Sequence, residues 1–189
     1  TLSLHDALPI SASHTCSFGS ADNSYAFRMM KLFKKSGINF ISCPTENVYL
    51  EGRQDTYPKR RGITRVKELH DNGINVCFAQ DSMSDPWYPL GNGNMMMILD
   101  HGIHLAQMMS PEEITNDLDL VTTNGAVAMN IMDHYGIEEE KPANFIVLDA
   151  KSEFEAICER AGIIASVRHG DFLFKKIPAK VTGAIDLLK

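Results

Sequence analysis

The sequence has few cysteines, and none lies in a pattern that would hold together a small disulfide-rich or zinc-binding domain. Its four cysteines are Cys16, Cys43, Cys77 and Cys158, and no two of them form a C-x-x-C pair. Disulfide frameworks and cysteine zinc sites both need cysteines at characteristic close spacings. We therefore expect free thiols, a core of ordinary size, and a reducing cytoplasm as the compartment.

Long apolar runs and an excess of basic residues are also missing. No run approaches the roughly 18 apolar residues that a membrane span requires, and the N-terminus lacks the basic and apolar regions of a secretion signal. The 189 residues carry a formal net charge of −6, and the one dense basic run, Lys59-Arg60-Arg61, is short. Nucleic-acid-binding surfaces are usually basic. We expect neither a membrane nor a nucleic acid as a partner.

What the sequence does contain is a repeated unit of helix followed by strand. A helical period over Ser24–Lys35 precedes the apolar run Ile38–Cys43, and an amphipathic stretch near Gly62–Asp71 precedes the apolar run Ile74–Ala79. Runs rich in β-branched residues are typical of buried strands. The tripeptide Gly-Ile-Asn stands between helix and strand both times. The repeat predicts a parallel α/β fold, either a barrel or a doubly wound sheet.

The C-terminal part of the chain has a different pattern. A helical period covers Asn94–Met109, and beyond residue 137 the segments Asn144–Ala150 and Ile163–Phe174 are short and rich in β-branched and aromatic residues. Gly170 interrupts the second of these segments. Such segments predict short strands joined by a turn. We expect a small β unit after the helices.

Polar residues follow the two predicted strands and also stand at Ser13-His14, which looks like the end of a truncated strand. This is the edge where parallel barrels carry their active sites. The polar segments are Ser13-His14, Pro44-Thr45-Glu46-Asn47 and Gln80-Asp81-Ser82. An ionised carboxylate directly after an apolar strand is costly unless it meets a cation, a metal or several donors. Asp81 is therefore the first candidate for chemistry, with a turn cap as the alternative. His14 alone is weaker evidence, because a lone histidine is more often structural.

Two further features have competing interpretations. His101 and His104 lie three apart on a predicted helix, which differs from the H-E-x-x-H spacing of helical zinc sites, so packing among the neighbouring Met and Leu side chains is favoured. Trp87, the only tryptophan, lies in the proline-containing loop after Asp81. An aromatic ring there either covers a flat substrate or closes the mouth of the barrel.

Five segments form a specific set of motifs: ASHT at Ala12–Thr15, SGINF at Ser36–Phe40, GRQDTYPKRRGITRVKE at Gly52–Glu68, GINVCF at Gly73–Phe78 and DPWYPLG at Asp85–Gly91. Together they resemble the C-terminal portion of bacterial cytosine deaminases, in the metal-dependent amidohydrolase superfamily. The resemblance implies strands six to eight of a TIM-type (β/α)₈ barrel and then part of a small β-sandwich domain. It implies an unmatched segment, foreign or artefactual, at residues 1–11, the barrel part at 12–137 and the sandwich part at 138–189.

The resemblance also implies roles for individual residues. His14 matches a catalytic histidine that contacts the attacking water and the ring, and Asp81 matches an aspartate that is both metal ligand and proton shuttle. Trp87 matches a loop tryptophan near the substrate. The implied cofactor is one divalent ion, iron(II) or zinc. The implied reaction is hydrolytic deamination of cytosine or a related cyclic amidine, with release of ammonia.

Departures from the family pattern affect the expected substrate and activity. Ser82 and Gln80 stand where the cytosine enzymes have aspartate and histidine. A methylated pyrimidine, a bicyclic purine or pterin, or another cyclic amidine therefore becomes a candidate substrate. The other metal ligands and a substrate-binding glutamine belong upstream of Ser11, so we expect the chain to be inactive alone. For the full-length protein we expect a homo-oligomer.

Two alternatives remain open at this point. Hydrolytic ring opening of a cyclic amide uses the same water and metal on the same fold. A non-catalytic interaction module derived from the barrel, which pairs its exposed sheet edge with a partner, is the alternative from another class. The separate zinc deaminase family is excluded, because neither its H-x-E nor its P-C-x-x-C signature occurs.

Overall fold

A three-stranded parallel sheet forms the centre of the N-terminal half. The computed structural model describes residues 10–177, so most of the segment 1–11 lies outside it, although Ser11 is the first residue of a strand. The strands are β1 (Ser11–Ser13), β2 (Asn39–Ser42) and β3 (Val76–Phe78). They pair in the order β1-β2-β3, and both pairs are parallel. The predicted parallel α/β organisation is therefore confirmed for these three strands.

Helices connect these strands and follow them. They are α1 (Cys16–Gly19), α2 (Asn23–Ser36), α3 (Pro44–Leu50), α4 (Val66–Asp71), α5 (Met95–Ala106), α6 (Pro111–Ile114) and α7 (Thr123–Ala128), with 3-10 helices at Asp117–Val121 and Met132–His134. The prediction of a helix over Ser24–Lys35 is confirmed by α2. The Asp22 carboxylate accepts from the Tyr25 N–H at its start, and Gly37 ends it in the left-handed conformation, with φ 68°.

Helix α4 is shorter than the sequence predicts. We expected it to begin near Gly62, but it begins at Val66 because the chain turns at Gly62, where φ is 81°. A Cβ atom at Gly62 would lie 2.9 Å from the backbone oxygen of Asn47. Glycine therefore lets the loop before α4 pack closely against α3.

The histidines of α5 do not pack in the core as predicted. His101 and His104 are exposed, while Leu99 and Ile103 form the buried face of the helix. Each Nδ1 atom lies within hydrogen-bond distance of the backbone oxygen four residues earlier, 2.8 Å for His101 and 2.6 Å for His104. The apolar side chains take the core positions, so the two imidazoles remain at the surface.

The hydrophobic core lies against the parallel sheet. Phe40 of β2 and Val76 of β3 are 2% and 0% exposed, and Met30 and Leu69 from α2 and α4 are equally buried. Full burial of one such side chain contributes about 1.5–3 kcal/mol. The core therefore fixes the sheet and, with it, the positions where its strands end.

A second sheet follows, and it confirms the predicted small β unit. Its strands β4 (Phe145–Leu148), β5 (Ile163–Arg168) and β6 (Asp171–Lys175) are antiparallel in the order β4-β5-β6. Helix α8 (Glu153–Cys158), which the sequence did not predict, lies between β4 and β5. Across the part of the chain that the structure describes, none of the helices combines the length and hydropathy of a membrane span.

Candidate active site

The ends of the three parallel strands bring together His14, Cys43 and Asp81. The His14 Nε2 atom lies 3.4 Å from an Asp81 carboxylate oxygen. One ligand atom of each residue lies within 4.8 Å of the other two. The side chains of His14 and Asp81 are 40% and 44% exposed, so the pair is open to solvent. The two residues that the sequence singled out for chemistry thus share one edge of the sheet.

His14 stands where the chain leaves β1 in a sharp turn. Both His14 and Thr15 have positive φ angles, 61° and 48°, although neither is glycine. The His14 N–H donates to the backbone oxygen of Ile41 in β2, with an N···O distance of 2.8 Å. Left-handed residues of this kind occur mostly where the surrounding structure enforces them, and often at functional sites. Pairing with β2 therefore holds the imidazole at the strand edge.

Two buried polar residues of α3 support this edge, and the sequence did not assign them a role. Asn47 Nδ2 lies 2.9 Å from His14 Nδ1, and Asn47 Oδ1 accepts from the Cys43 N–H at 3.3 Å. A Glu46 carboxylate oxygen accepts from the Ser82 N–H at 3.0 Å. Glu46 and Asn47 are 5% and 4% exposed. Their position just after β2 was the only signal in the sequence, and it is shared by ordinary helix-cap residues.

The Cys43 thiol is buried between the two acidic side chains of the site. Burial, with the negative charges of Asp81 and Glu46, raises the pKa of Cys43 to about 12. The thiol is therefore protonated at neutral pH unless a cation is present. Imidazole nitrogen, carboxylate oxygen and sulfur are ligands that zinc and iron accept. The residues at this edge thus fit a divalent transition metal.

Ser82 is held next to Asp81 in a tightly packed turn. It is 6% exposed, and its backbone oxygen accepts from the side-chain amide of Gln80 at 2.7 Å. The same oxygen would lie 1.9 Å from a Cβ atom at residue 91, so only glycine fits there. Glu46 and Gly91 therefore fix the backbone of Ser82 from two sides.

Trp87 lies farther along the same loop, at the surface. An Asp85 carboxylate oxygen accepts from the N–H groups of Trp87 at 2.9 Å and Tyr88 at 3.0 Å. These hydrogen bonds lower the pKa of Asp85, and the one from Tyr88 has the larger effect. The Trp87 side chain is 65% exposed. The loop therefore presents the indole to solvent, where it is accessible to a ligand.

An open cavity of about 800 Å³ lies away from this edge, beside the loop before α4 and the end of α5. Neither His14 nor Asp81 lines it. Its charged groups are largely paired, for example Arg60 with Asp55 at 2.5 Å and Arg65 with Glu68 at 2.8 Å. This cavity therefore lies apart from the strand ends where His14 and Asp81 meet.

The chain matches a known protein family over most of its length. Residues 3–170 match the model of the amidohydrolase family. The chain belongs to the amidohydrolase family. The family resemblance inferred from the sequence motifs is therefore confirmed.

Relatives of the chain include deaminases. It is 50% identical to 5-methylcytosine deaminase from Klebsiella pneumoniae, whose crystal structure with 5-fluorocytosine aligns with a TM-score of 0.89 over 92% of this chain and 42% of that one. Pterin deaminase from Rhizobium rhizogenes is 25% identical over 170 residues, 89% of this chain and 38% of that protein. N-isopropylammelide isopropyl amidohydrolase from Pseudomonas sp. strain ADP is 26% identical over 166 residues, which are 88% of this chain and 38% of that protein. The chain thus spans about two fifths of the length of these relatives.

Proposed function

We propose that this chain is the part of a metal-dependent hydrolytic deaminase that supplies one metal ligand and the histidine beside the attacked ring. The substrate is a cyclic amidine of the nucleobase type. The observation that carries the proposal is the pairing of His14 with Asp81, 3.4 Å apart at the ends of parallel strands. It gains weight because the chain is 50% identical to a deaminase over 92% of its length.

Asp81 is the residue that would hold the metal. Its carboxylate is at the sheet edge and partly exposed, and one ligand atom each of His14 and Cys43 lies within 4.8 Å of it. A divalent ion held there, iron(II) or zinc, would supply hydroxide near neutral pH. Asp81 would take a proton from the water that adds to the ring carbon and pass it to the amino group, which leaves as ammonia when the C–N bond breaks, and the second proton of the water ends on the neighbouring ring nitrogen.

His14 acts on the ring and the water. A hydrogen-bond donor that is already in place where negative charge develops stabilises the transition state without reorganising. The strand-end turn fixes the backbone of His14 through its hydrogen bond to Ile41. The imidazole therefore needs little rearrangement when the substrate binds.

The rest of the site comes from other parts of the full-length protein. In this proposal β1, β2 and β3 are strands six to eight of a (β/α)₈ barrel, and β4–β6 are part of a small β sandwich. Residues 12–137 then form the barrel part and residues 138–189 the sandwich part. One carboxylate makes a weak metal site, so we expect the 189-residue chain alone to turn over no substrate.

Ser82 and Trp87 set the substrate preference. Where the related cytosine enzymes have a second aspartate, Ser82 removes a charge-assisted contact to the ring, which is worth on the order of 1.5–3 kcal/mol. The smaller side chain leaves room for a methyl group or a second ring, and Trp87 covers the flat face of the substrate. A methylated pyrimidine such as 5-methylcytosine fits these features best.

The test is ammonia release by the full-length protein from cytosine, 5-methylcytosine, isoguanine and a pterin. We expect activity that a chelator abolishes and Zn²⁺ or Fe²⁺ restores, with 5-methylcytosine preferred. Ser82→Asp should move kcat/KM toward cytosine by about ten- to a hundredfold. If no ring is deaminated by the metal-loaded protein, the proposed function is wrong. If only the Ser82→Asp shift is missing, Ser82 is not the specificity determinant.

A further inference from the structure

We infer that Asn47 is a positioning residue that fixes the tautomer of His14, so that the imidazole presents a protonated Nε2 to Asp81. The inference rests on the proposed function, since it concerns how His14 serves that reaction. It starts from the side-chain amide of Asn47, which is almost fully buried and contacts both the Cys43 backbone and the His14 ring.

The orientation of the Asn47 amide follows from its contact with Cys43. A backbone N–H only donates, so the atom that faces the Cys43 N–H at 3.3 Å must be the amide oxygen. The amide nitrogen then faces the His14 ring. A reversed amide would place two donors against each other and leave the buried oxygen without this partner. The Cys43 N–H group therefore fixes the orientation of the Asn47 side-chain amide.

The amide in turn sets the proton of the imidazole. Asn47 Nδ2 lies 2.9 Å from His14 Nδ1 and can only donate, so Nδ1 must accept through its lone pair. A neutral imidazole carries one proton, which is then on Nε2. That atom lies 3.4 Å from the Asp81 carboxylate. The hydrogen-bond chain from Cys43 through Asn47 thus delivers an N–H group to the reacting edge.

The tautomer determines what His14 can do. An Nε2–H group donates a hydrogen bond to developing negative charge, but it cannot take a proton from water. The proton transfer is left to Asp81, and the two side chains have separate roles. The same principle operates where a carboxylate or carbonyl holds the far nitrogen of a catalytic or metal-binding imidazole.

The first test is made on the metal-free, ¹⁵N-labelled chain without any substitution. Long-range ¹H–¹⁵N correlation spectra distinguish the two neutral tautomers. The His14 signals are assigned by their loss in His14→Ala, which separates them from the other six of the seven histidines. At a pH where the ring is neutral we expect the Nε2-protonated pattern. An Nδ1-protonated pattern overturns the inference.

The second test changes Asn47 while keeping its shape. Asn47→Asp replaces the donor by an acceptor of the same size, so the proton of His14 should move to Nδ1. The matched control is Asn124→Asp, because Asn124 Nδ2 also donates at 2.9 Å, but to the backbone oxygen of Val76. The control should leave the His14 pattern unchanged. An unchanged pattern in Asn47→Asp contradicts the inference.

Kinetics of the full-length protein complete the test. Asn47→Asp should lower kcat by about ten- to a hundredfold, the usual effect of losing a partner that orients a site residue, with KM and metal content little changed. A loss of metal or a large rise in KM would indicate a merely structural role. The NMR result separates this inference from the proposed function. If Nε2 carries the proton but the protein has no deaminase activity, only the proposed function is wrong. If Nδ1 carries the proton and the protein is an active deaminase, only this inference is wrong.

Discussion

The parallel and antiparallel sheets of this chain differ in how much water reaches them. In the parallel sheet Phe40 and Val76 are 2% and 0% exposed, whereas Phe172 and Leu173 of the antiparallel sheet are both 63% exposed. Helices cover a parallel sheet, so its polar groups reach solvent mainly where strands end. His14 and Asp81 lie at such ends, and no candidate site residue lies in β4–β6. Burial thus leaves the candidate site residues at one edge of the parallel sheet.

The largest expected difference between the two regions comes from removing a carboxylate. In the full-length protein Asp81→Asn should lower ammonia release by about 10⁴-fold or more and reduce metal content, because the amide loses both ligand charge and proton transfer. Asp171→Asn is the matched control, since Asp171 starts an exposed strand. It should change turnover less than twofold. Normal turnover and metal loading in Asp81→Asn would leave Asp81 a turn cap.

Removing an imidazole should also lower turnover more in the parallel-sheet region than in the antiparallel one, but by a smaller factor. His14→Ala should lower turnover by about 10²–10³-fold, as expected for a lost donor at the developing charge, with metal content near normal. His169, in the turn between β5 and β6, is exposed and provides the control His169→Ala. Metal analysis decides the assignment. If His14→Ala loses the metal, His14 is a ligand and our assignment of its role is wrong.

The same comparison can be made with stability instead of activity. Phe40→Ala should destabilise the chain by about 3–5 kcal/mol because it leaves a cavity beside the parallel sheet. Phe172→Ala should stay within about 0.5 kcal/mol, because its ring is 63% exposed. Urea unfolding measures both. Equal losses would mean that the antiparallel sheet is covered in solution and that the contrast in burial does not hold.

A smaller effect, on the pH dependence of folding stability, is expected from the buried residue Asp117. Asp117 is 3% exposed, and burial, together with Glu113, raises its pKa to about 7. The folded chain therefore binds this proton more tightly than the unfolded chain, whose Asp pKa is about 3.9. The contribution of Asp117 to stability is retained below pH 4 and lost as the pH rises through about 7.

Asp117→Asn removes the free-energy cost of ionising a buried carboxyl group at high pH. At pH 8 the variant should be more stable than wild type by roughly 2–4 kcal/mol, and the difference should shrink below pH 4. The hydrogen bond from Lys67 lowers the pKa of Glu113 to about 2, so the stability that Glu113 contributes is lost as the pH falls. Wild type and Asp117→Asn share this contribution, so it does not affect the difference between them. Asp171→Asn should show no such difference. A stability change in Asp117→Asn that is the same at both pH values would contradict the assignment.

The strands and the site edge could be predicted because their signals are local. β2 and β3 lie in short apolar runs bounded by polar residues or glycine, and residues that follow parallel strands lie at a common edge, which predicted the position of Asp81. β1 is Ser-Ala-Ser and has no such signal. Helix α8 was missed, since its six residues are too few to show a clear helical period. The start of α4 was misplaced because Gly62 turns the chain against α3, a contact between distant segments.

The roles of Asn47 and Glu46 could not be predicted for the same physical reason. Asn47 meets His14 across 33 residues of sequence, and Glu46 meets Ser82 across 36. Those contacts exist only once β1 and β3 are paired on either side of β2. In the sequence alone, a buried polar residue at the start of a helix is indistinguishable from a cap.

The most direct test of the account is the position of the metal in a crystal structure of the full-length protein, located by anomalous scattering. We predict one ion with an Asp81 carboxylate oxygen at about 2.0–2.2 Å, with His14 next to it but outside its ligand set. An ion coordinated by the Cys43 sulfur in place of Asp81, or an ion bound away from the ends of β1, β2 and β3, would contradict the account.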